Sequence, residues 1–378
     1  MNRVEYLPGF QGRLPFHLET GYVGVDENED VQLFYYFIPS ESNPKEDPLM
    51  LWLTGGPGCS SISGLLYEMG MFISLFSSLG ECENESVVYL KWHGNCPRPI
   101  GEPGPPAPVG DGDSPMASII FLDIPVGTGF SYARTEHASY SNDLIYPDHA
   151  YEFMRKWLNS HPRFISNPFY VGGNSFSGHP VPIISQLISN GNEGGIEPYI
   201  NLKGYVLGNP TTFPTEKNFQ IEFAYGMGLI PEEFYKIIDG INNPHILEPN
   251  CSAIASIKLP SQMRLEEPQS LSSFYCHDEI EELIEYWAND ASVREALHIR
   301  EGSKGQWIRC NPENFTRTIE DVRPYHLNLS KKGYRSLILS GDHDMVIPRQ
   351  STQLWVKELN YSVTDQWRPW KFRGQVAG

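Results

Sequence analysis

A short glycine-rich segment in the middle of the chain, Tyr170–Gly178, constrains the fold more than any other feature. It reads YVGGNSFSG, an apolar run that leads into a serine with small neighbours. A serine between a strand and a helix sits in a strained turn, around which only small residues fit. The segment therefore predicts a nucleophile elbow with Ser175 at its tip and Gly173, Ser177 and Gly178 as the small neighbours.

An acid should follow this serine, and a histidine should follow the acid, because that is the triad order of α/β-hydrolases. The segment RSLILSGDHDMVIP, residues 335–348, predicts a strand and an acid loop. Asp344 is favoured over Asp342, because the turn after it places its side chain past the carboxyl end of the strand. No histidine occurs from Met345 to Gly378. We therefore expect a hydrolase scaffold that lacks its general base as written.

Two histidines lie close to these residues in the sequence. His179 comes one helical turn after Ser175, and elbow geometry points the serine hydroxyl away from that helix. His343 precedes Asp344 and is expected to face the opposite side or solvent. Neither histidine is predicted to act as the base.

Short apolar runs recur along the chain and are typical of strands in a buried sheet. They are Val31–Ile38, Pro48–Thr54, Ala117–Ile124, Pro168–Gly172, Leu202–Leu207 and Arg335–Leu339. Between two of them, His149–Leu158 has apolar residues at helical spacing. This alternation predicts an α/β protein with a mainly parallel central sheet. With the elbow, the prediction is an α/β-hydrolase fold.

The strand pattern stops between residues 211 and 330, where helical pieces such as Glu279–Leu297 predominate. We predict a helical cap inserted at 211–330 into a core formed by 1–210 and 331–378, and we expect truncation at both ends. Residues 81–113 are rich in proline and glycine and have no helix or strand period. They are interpreted as an aberrant loop, either an ordinary surface loop or an artefact of gene prediction.

Composition excludes several classes of protein. The formal charge of −18 and the pI near 5.0 would repel nucleic acid. The longest apolar runs are shorter than the ~20 residues that a membrane-spanning helix needs, so a soluble protein is expected. The chain has no Cys-x-x-Cys motif and its histidines are scattered. No metal and no cofactor are predicted, and the oligomeric state is left open.

Cysteines and glycosylation motifs favour an oxidising, secretory compartment. The chain has six cysteines and five Asn-x-Ser/Thr sequences, at Asn84, Asn250, Asn314, Asn328 and Asn360. No signal peptide is visible at Met1–Gly9, since no apolar segment follows a charged start.

Four motifs in order make the chain resemble a serine carboxypeptidase-like protein. They are LWLTGGPGCSS at 51–61, FLDIPVGTGFSYA at 121–133, GNSFSG at 173–178 and LSGDHDMVIP at 339–348. The opening segment at 7–25 is similar to the plant branch that includes glucose-ester-dependent acyltransferases. The resemblance implies that Ser175 is the nucleophile and Asp344 the acid. It further implies an oxyanion hole made by the backbone N–H groups of Gly56 and Phe176, and Gly55 as a substrate-binding residue.

Peptidases of this family bind the terminal carboxylate of their substrate with a pair of acids. The resemblance assigns these positions to Glu68 and Asn174, and the amide at the second position puts ordinary carboxypeptidase specificity in question. Two carboxyl groups in contact share a proton and function best at acidic pH, whereas this pair has one titrating group. Asn174 is interpreted either as a substrate-binding amide or as a residue that satisfies backbone groups of the elbow.

The resemblance also implies two disulfides, Cys59 with Cys310 and Cys251 with Cys276. Cys82 and Cys96 are left either paired or free.

Three functions stay open. The leading one is a carboxypeptidase that acts on a peptide or small ester through an acyl-serine intermediate. The second is an acyltransferase that passes an acyl group from a glucose ester to an alcohol, and the third is an inactive scaffold without the triad histidine.

Overall fold

The structure, a computed structural model, describes residues 2–10, 12–68, 117–213, 219–229 and 277–366, together with 368, 369, 371, 372, 375 and 376. The predicted loop at 81–113 and the predicted pair Cys251–Cys276 lie outside the described residues.

Nine strands of the described chain form one mixed sheet. Eight follow one another across it, in the order β1 (Asn2–Val4), β2 (Leu18–Val25), β3 (Val31–Ile38), β5 (Ser118–Leu122), β4 (Leu49–Leu53), β8 (Phe169–Asn174), β9 (Leu202–Gly208) and β11 (Arg335–Leu339). The ninth, β6 (Tyr132–Ala133), pairs with β3. From β5 to β11 every pair is parallel, and β1, β2 and β3 are antiparallel to their neighbours. The predicted mainly parallel sheet is confirmed.

The central strands are apolar at almost every position because both faces of the sheet are covered. All residues of β3, β4 and β5 are buried. On one face, Phe153 and Trp157 pack with Ile184 and other apolar residues into one core. On the other face, Trp52 and Trp307 belong to a second core. The sheet therefore separates two apolar layers, as an α/β-hydrolase fold requires.

Helices connect and flank these strands. They are α1 (Ile145–Ser160), α2 (Pro180–Glu193), α3 (Gln220–Gly226), α4 (His277–Asn289), α5 (Ala291–Ala296), α6 (Arg323–Lys331) and α7 (Arg349–Glu358). The single helix predicted near 279–297 is two helices, because Asp290 leaves helical geometry and its carboxylate accepts the N–H groups of Ser292 and Val293 at the start of α5. No described helix has the length and apolar character to cross a membrane.

Shorter elements complete the described chain. β7 (Ser141–Asn142) pairs in parallel with β10 (Phe315–Thr316), and β12 (Lys371–Phe372) pairs with β13 (Gln375–Val376). Short helical turns lie at Gly64–Glu68, His137–Ser139, Pro162–Phe164 and Ser175–Gly178. Of the predicted cap, the structure describes 211–213, 219–229 and 277–330. The division into core and cap therefore stays a prediction.

A buried pair of a histidine and a glutamate joins the antiparallel edge of the sheet to the end of α1. His161 Nε2 lies 2.8 Å from Glu19 Oε1, and the Tyr35 hydroxyl donates to the same oxygen at 2.8 Å. His161 Nδ1 lies 2.8 Å from the carbonyl oxygen of Trp157, whose ring stacks on the imidazole. Burial alone would raise the pKa of Glu19, but the hydrogen bonds from His161 and Tyr35 hold this pKa below its usual value.

We predict that His161→Ala destabilises the fold at neutral pH by about 3 to 5 kcal/mol, because the buried carboxylate of Glu19 loses its imidazole partner and keeps only the Tyr35 hydroxyl. The pair is present above the unfolded-state pKa of Glu19, near 4.5, and is lost as pH falls through the lower folded-state pKa. The difference between wild type and variant in urea unfolding should therefore shrink from pH 6 to pH 3. His137→Ala, at an exposed histidine, is the control. A loss below about 1 kcal/mol at pH 7 would contradict the prediction.

Candidate active site

The predicted elbow lies at the carboxyl end of a central strand. β8 ends at Asn174, Ser175 begins a helical turn, and α2 follows from Pro180. The backbone of Ser175 has φ of 52°, in the left-handed region that side chains other than glycine rarely adopt. This strained conformation is maintained by its surroundings and is common at functional sites.

Small residues surround Ser175 because other chain segments pass against the turn. A Cβ atom on Gly173 would lie 2.6 Å from the carbonyl oxygen of Leu53, and one on Gly178 would lie 2.2 Å from that of Thr211. The hydroxyl of Ser177 donates to the same Leu53 oxygen at 2.9 Å. The second glycine of the simpler elbow pattern is thus replaced by a serine that ties the turn to β4.

The segment after β4 touches the elbow directly. A Cβ atom on Gly55 would lie 2.7 Å from the Ser175 Cβ and 3.1 Å from the Phe176 nitrogen. The Gly55 N–H donates to Asn174 Oδ1 at 3.0 Å, so the side chain of Asn174 satisfies a backbone group of the segment after β4. Gly56 follows with φ of 121°. The structure therefore brings Gly55, the Phe176 amide and Ser175 together.

We call residues 55–61 the glycine loop. The segment 309–311 is bonded to this loop. Cys59 and Cys310 form the predicted disulfide. On either side of it, Ser60 N–H donates to the Arg309 carbonyl and Asn311 N–H donates to the Gly58 carbonyl, each at 2.8 Å. The glycine loop is therefore attached by covalent and backbone bonds to a segment 251 positions away in the sequence, counted between the two cysteines.

The glycine loop also binds Asp123, which is not among the predicted site residues. Its carboxylate accepts the Ser60 hydroxyl at 2.6 Å and the Ser61 N–H at 2.9 Å. Asp123 is fully buried at the carboxyl end of β5, and burial raises its pKa to about 6. The available signal was an acid directly after the apolar run that ends at Leu122.

Asp344 lies in the loop after β11, as predicted. Its Oδ1 accepts the N–H groups of Val346 at 2.7 Å and Ile347 at 3.1 Å, and its Oδ2 accepts Asn209 Nδ2 at 2.7 Å. Asn209 directly follows β9 and also accepts the Gly341 N–H. Partial burial raises the pKa of Asp344 to about 6, although these three hydrogen bonds oppose the shift. Asn209 was missed, since a lone asparagine after a strand has no distinctive sequence pattern.

Neither nearby histidine is arranged as a base. His343 Nδ1 lies 3.1 Å from Asp342 Oδ1. The Arg317 guanidinium donates to His179 Nε2 at 2.5 Å, so this nitrogen carries no proton. Burial, with the arginine charge beside it, lowers the pKa of His179 to about 3. Among the described residues, the hydrogen-bond donors to Asp344 are Asn209, Val346 and Ile347, and no histidine.

The other predicted site residues are only partly described. Glu68 ends the turn Gly64–Glu68, and its side chain lies outside the described residues, so the Glu68–Asn174 pair stays a prediction. Asn314, Asn328 and Asn360 are exposed, whereas Asn84 and Asn250 are not described. In the part of the chain that the structure describes, no three His, Cys, Asp or Glu side chains lie together as metal ligands would.

Sequence comparison gives a consistent result. The profile of the serine carboxypeptidase family matches residues 8–86, 114–243 and 234–378. Serine carboxypeptidase-like 10 of Arabidopsis thaliana is 45% identical over 99% of this chain and 85% of its own length. Serine carboxypeptidase-like 8 of the same plant is 44% identical over 99% of this chain and 86% of its own length.

A solved structure shows the same fold. It is that of KEX1(delta)p, a prohormone-processing carboxypeptidase from Saccharomyces cerevisiae, with a TM-score of 0.59. The match covers 91% of this chain and 77% of that one at 17% identity.

We predict that Gly55→Ala disrupts the site while the core persists. The new methyl group would overlap the Ser175 side chain and the backbone of Asn174, so the turn has to move. The rate at which a fluorophosphonate probe labels Ser175 should fall at least tenfold. Gly305→Ala is the matched control, because nothing lies within 4 Å of its added Cβ. Equal labelling rates in the two variants would contradict this packing argument.

Proposed function

This chain belongs to the serine carboxypeptidase family, and from that membership we propose that it acts as a serine-type carboxypeptidase through an acyl-serine intermediate. The observation that carries the proposal is the packing of Ser175 against Gly55 and the Phe176 amide. A nucleophile beside backbone N–H groups has the geometry that acyl transfer uses.

In the proposed reaction, Ser175 Oγ attacks the carbonyl carbon of a peptide or ester. The carbonyl oxygen becomes an oxyanion, which accepts hydrogen bonds from the N–H groups of Gly56 and Phe176. Collapse of this intermediate breaks the bond to the leaving amine or alcohol, which takes a proton. Water then attacks the acyl-serine, and Ser175 regains its proton. Each oxyanion donor of this kind is typically worth about 3 kcal/mol of transition-state stabilisation.

Asp344 is proposed as the acid that would orient a triad histidine, the base that would take the serine proton and that the sequence as written lacks after Asp344. Its carboxylate is fixed by three donors, and one of them, Asn209, lies at the end of β9 beside the elbow strand. A carboxylate held in this way can set the tautomer of a histidine and stabilise its charged form. The hydrogen-bond donors to Asp344 among the described residues, Asn209, Val346 and Ile347, include no histidine, which favours as the second candidate a scaffold that binds substrate without turnover.

An acyltransferase is the alternative within the same chemistry. Formation of the acyl-serine is common to both activities, and they differ in whether water or an alcohol takes the acyl group. Asn174 has an amide where a second carboxyl group would form a pair with Glu68, and its Oδ1 accepts the Gly55 N–H. This difference supports a substrate-binding site unlike one made of two paired carboxyl groups. A dipeptide series and a glucose ester supplied with an alcohol acceptor, followed by product analysis, separate the two activities.

We predict that a fluorophosphonate probe labels Ser175 of the wild-type protein and that Ser175→Ala abolishes the labelling. The label should appear on the peptide that contains Ser175 in a mass-spectrometric digest. Ser177→Ala controls for non-specific reaction at the neighbouring hydroxyl, which is buried and bonded to Leu53. Wild-type protein that folds and is not labelled would reject the acyl-serine proposal in favour of the inactive scaffold.

We also propose that the protein resides in the secretory pathway. The Cys59–Cys310 disulfide and the exposed acceptors Asn314, Asn328 and Asn360 support this location. We predict that protein isolated from plant tissue loses mass on enzymatic deglycosylation, at one or more of these three asparagines. Unmodified asparagines together with free Cys59 and Cys310 thiols would contradict it.

A further inference from the structure

A fully buried carboxylate lies directly beneath the glycine loop and has no role in the reaction proposed above. Asp123 follows the last residue of β5 and has no exposed surface. An ionised carboxylate in such a place is costly unless several donors satisfy it. The structure supplies three donors, namely the Ser60 hydroxyl and the N–H groups of Ser61 and Phe130.

These donors come from two different loops. Oδ1 binds the glycine loop at Ser60 and Ser61, whereas Oδ2 accepts the Phe130 N–H at 3.0 Å. The space around Oδ2 admits only glycine at position 129, since a Cβ there would lie 2.0 Å from that oxygen. Asp123 therefore joins the glycine loop to residues 127–131.

The backbone of Asp123 is anchored to the sheet independently of its carboxylate. The Ser131 hydroxyl donates to the Asp123 carbonyl at 2.6 Å and accepts the Phe34 N–H from β3 at 2.7 Å. The Asp123 N–H also donates to the Phe34 carbonyl at 2.9 Å, so the strand end remains bonded to β3 without the Ser131 hydroxyl.

A lysine balances the buried charge. Lys304 Nζ donates to the Gly127 carbonyl at 2.5 Å, and burial lowers its pKa despite the attraction of Asp123. The fold thus retains a carboxylate and an ammonium group where apolar residues would be less costly. A group kept at such a cost is expected to serve the site next to it.

We propose that Asp123 is a positioning residue that holds the glycine loop, through Ser60 and Ser61, at the distance from Ser175 that oxyanion stabilisation needs. The inference rests on the proposed acyl-serine function. Gly56, one of the two oxyanion donors in that proposal, is four residues before Ser60. Cys310 is bonded to the same loop through Cys59. Oxyanion donors act only when they lie about 2.7 to 3.1 Å from the developing charge, so a small movement of the loop removes their effect.

The test compares two serines that differ in what they hold. Ser60→Ala removes a hydroxyl that binds the Asp123 carboxylate, whereas Ser131→Ala removes an equally buried hydroxyl that binds only backbone groups. The readout is fluorophosphonate labelling of Ser175, resolved into the binding constant KI and the maximal rate kinact. Labelling forms an O–P bond, expels fluoride and releases the serine proton to solvent or to a base.

We expect Ser60→Ala to lower kinact about tenfold or more with KI unchanged, and Ser131→Ala to lower only the melting temperature. Asp123→Asn, which can still accept from Ser60, should retain more of kinact than Asp123→Ala does. A Ser60→Ala variant that is merely less stable, with kinact as in wild type, would overturn the inference.

Hydrogen exchange distinguishes failure of the positioning role of Asp123 from failure of the acyl-serine proposal. The amides of the glycine loop should exchange faster in Ser60→Ala than in Ser131→Ala. If the wild-type protein is not labelled at all, the acyl-serine proposal fails, and this exchange comparison still decides whether Asp123 positions the loop. Equal exchange in both variants would reject the positioning role.

Discussion

The site depends on one close contact, that of the Ser175 side chain with the backbone at Gly55. A Cβ atom added at position 55 would lie 2.7 Å from the Ser175 Cβ, so the two segments can meet in this way only with glycine at position 55. The contact places a strained residue, with positive φ, against a loop that has its own positive φ at Gly56. Strain of this kind persists only where surrounding structure over-determines it, and the remaining features of the fold provide that support.

The support comes from the parallel arrangement of the central strands. The carboxyl ends of β4, β5, β8, β9 and β11 meet at one edge of the sheet, and each is followed by a residue of the site. Those residues are Gly55, Asp123, Ser175, Asn209 and Asp344. Because neighbouring strands are hydrogen-bonded in register, as Leu53 with Gly173, loops far apart in the sequence are positioned relative to one another by the sheet. Ligand sites of open α/β sheets commonly occur at this edge for the same reason.

Two buried carboxylates connect the sheet to other segments of the chain. Glu19 pairs with His161 and joins an antiparallel strand to the end of α1, while Asp123 joins β5 to two loops. Each carboxylate accepts several donors, which is the condition under which a buried charge is tolerated. These hydrogen bonds require a particular orientation of the segments that they join. Contacts in the two apolar cores would tolerate small shifts of those segments in any direction.

The sequence by itself determined six strands of the sheet, the elbow and the acid loop, because apolar runs and small residues around a serine are local patterns that backbone sterics impose. It did not indicate β1, β2 or β6. The disulfide Cys59–Cys310 followed from family resemblance, since spacing cannot choose among the pairings of six cysteines. Only the tertiary structure decided that Asp123 supports the glycine loop, that Asn209 holds Asp344, and that His179 Nε2 is occupied by Arg317. Those roles arise from contacts between residues 63 to 138 positions apart, and no local pattern records which distant groups a fold will bring within hydrogen-bonding distance.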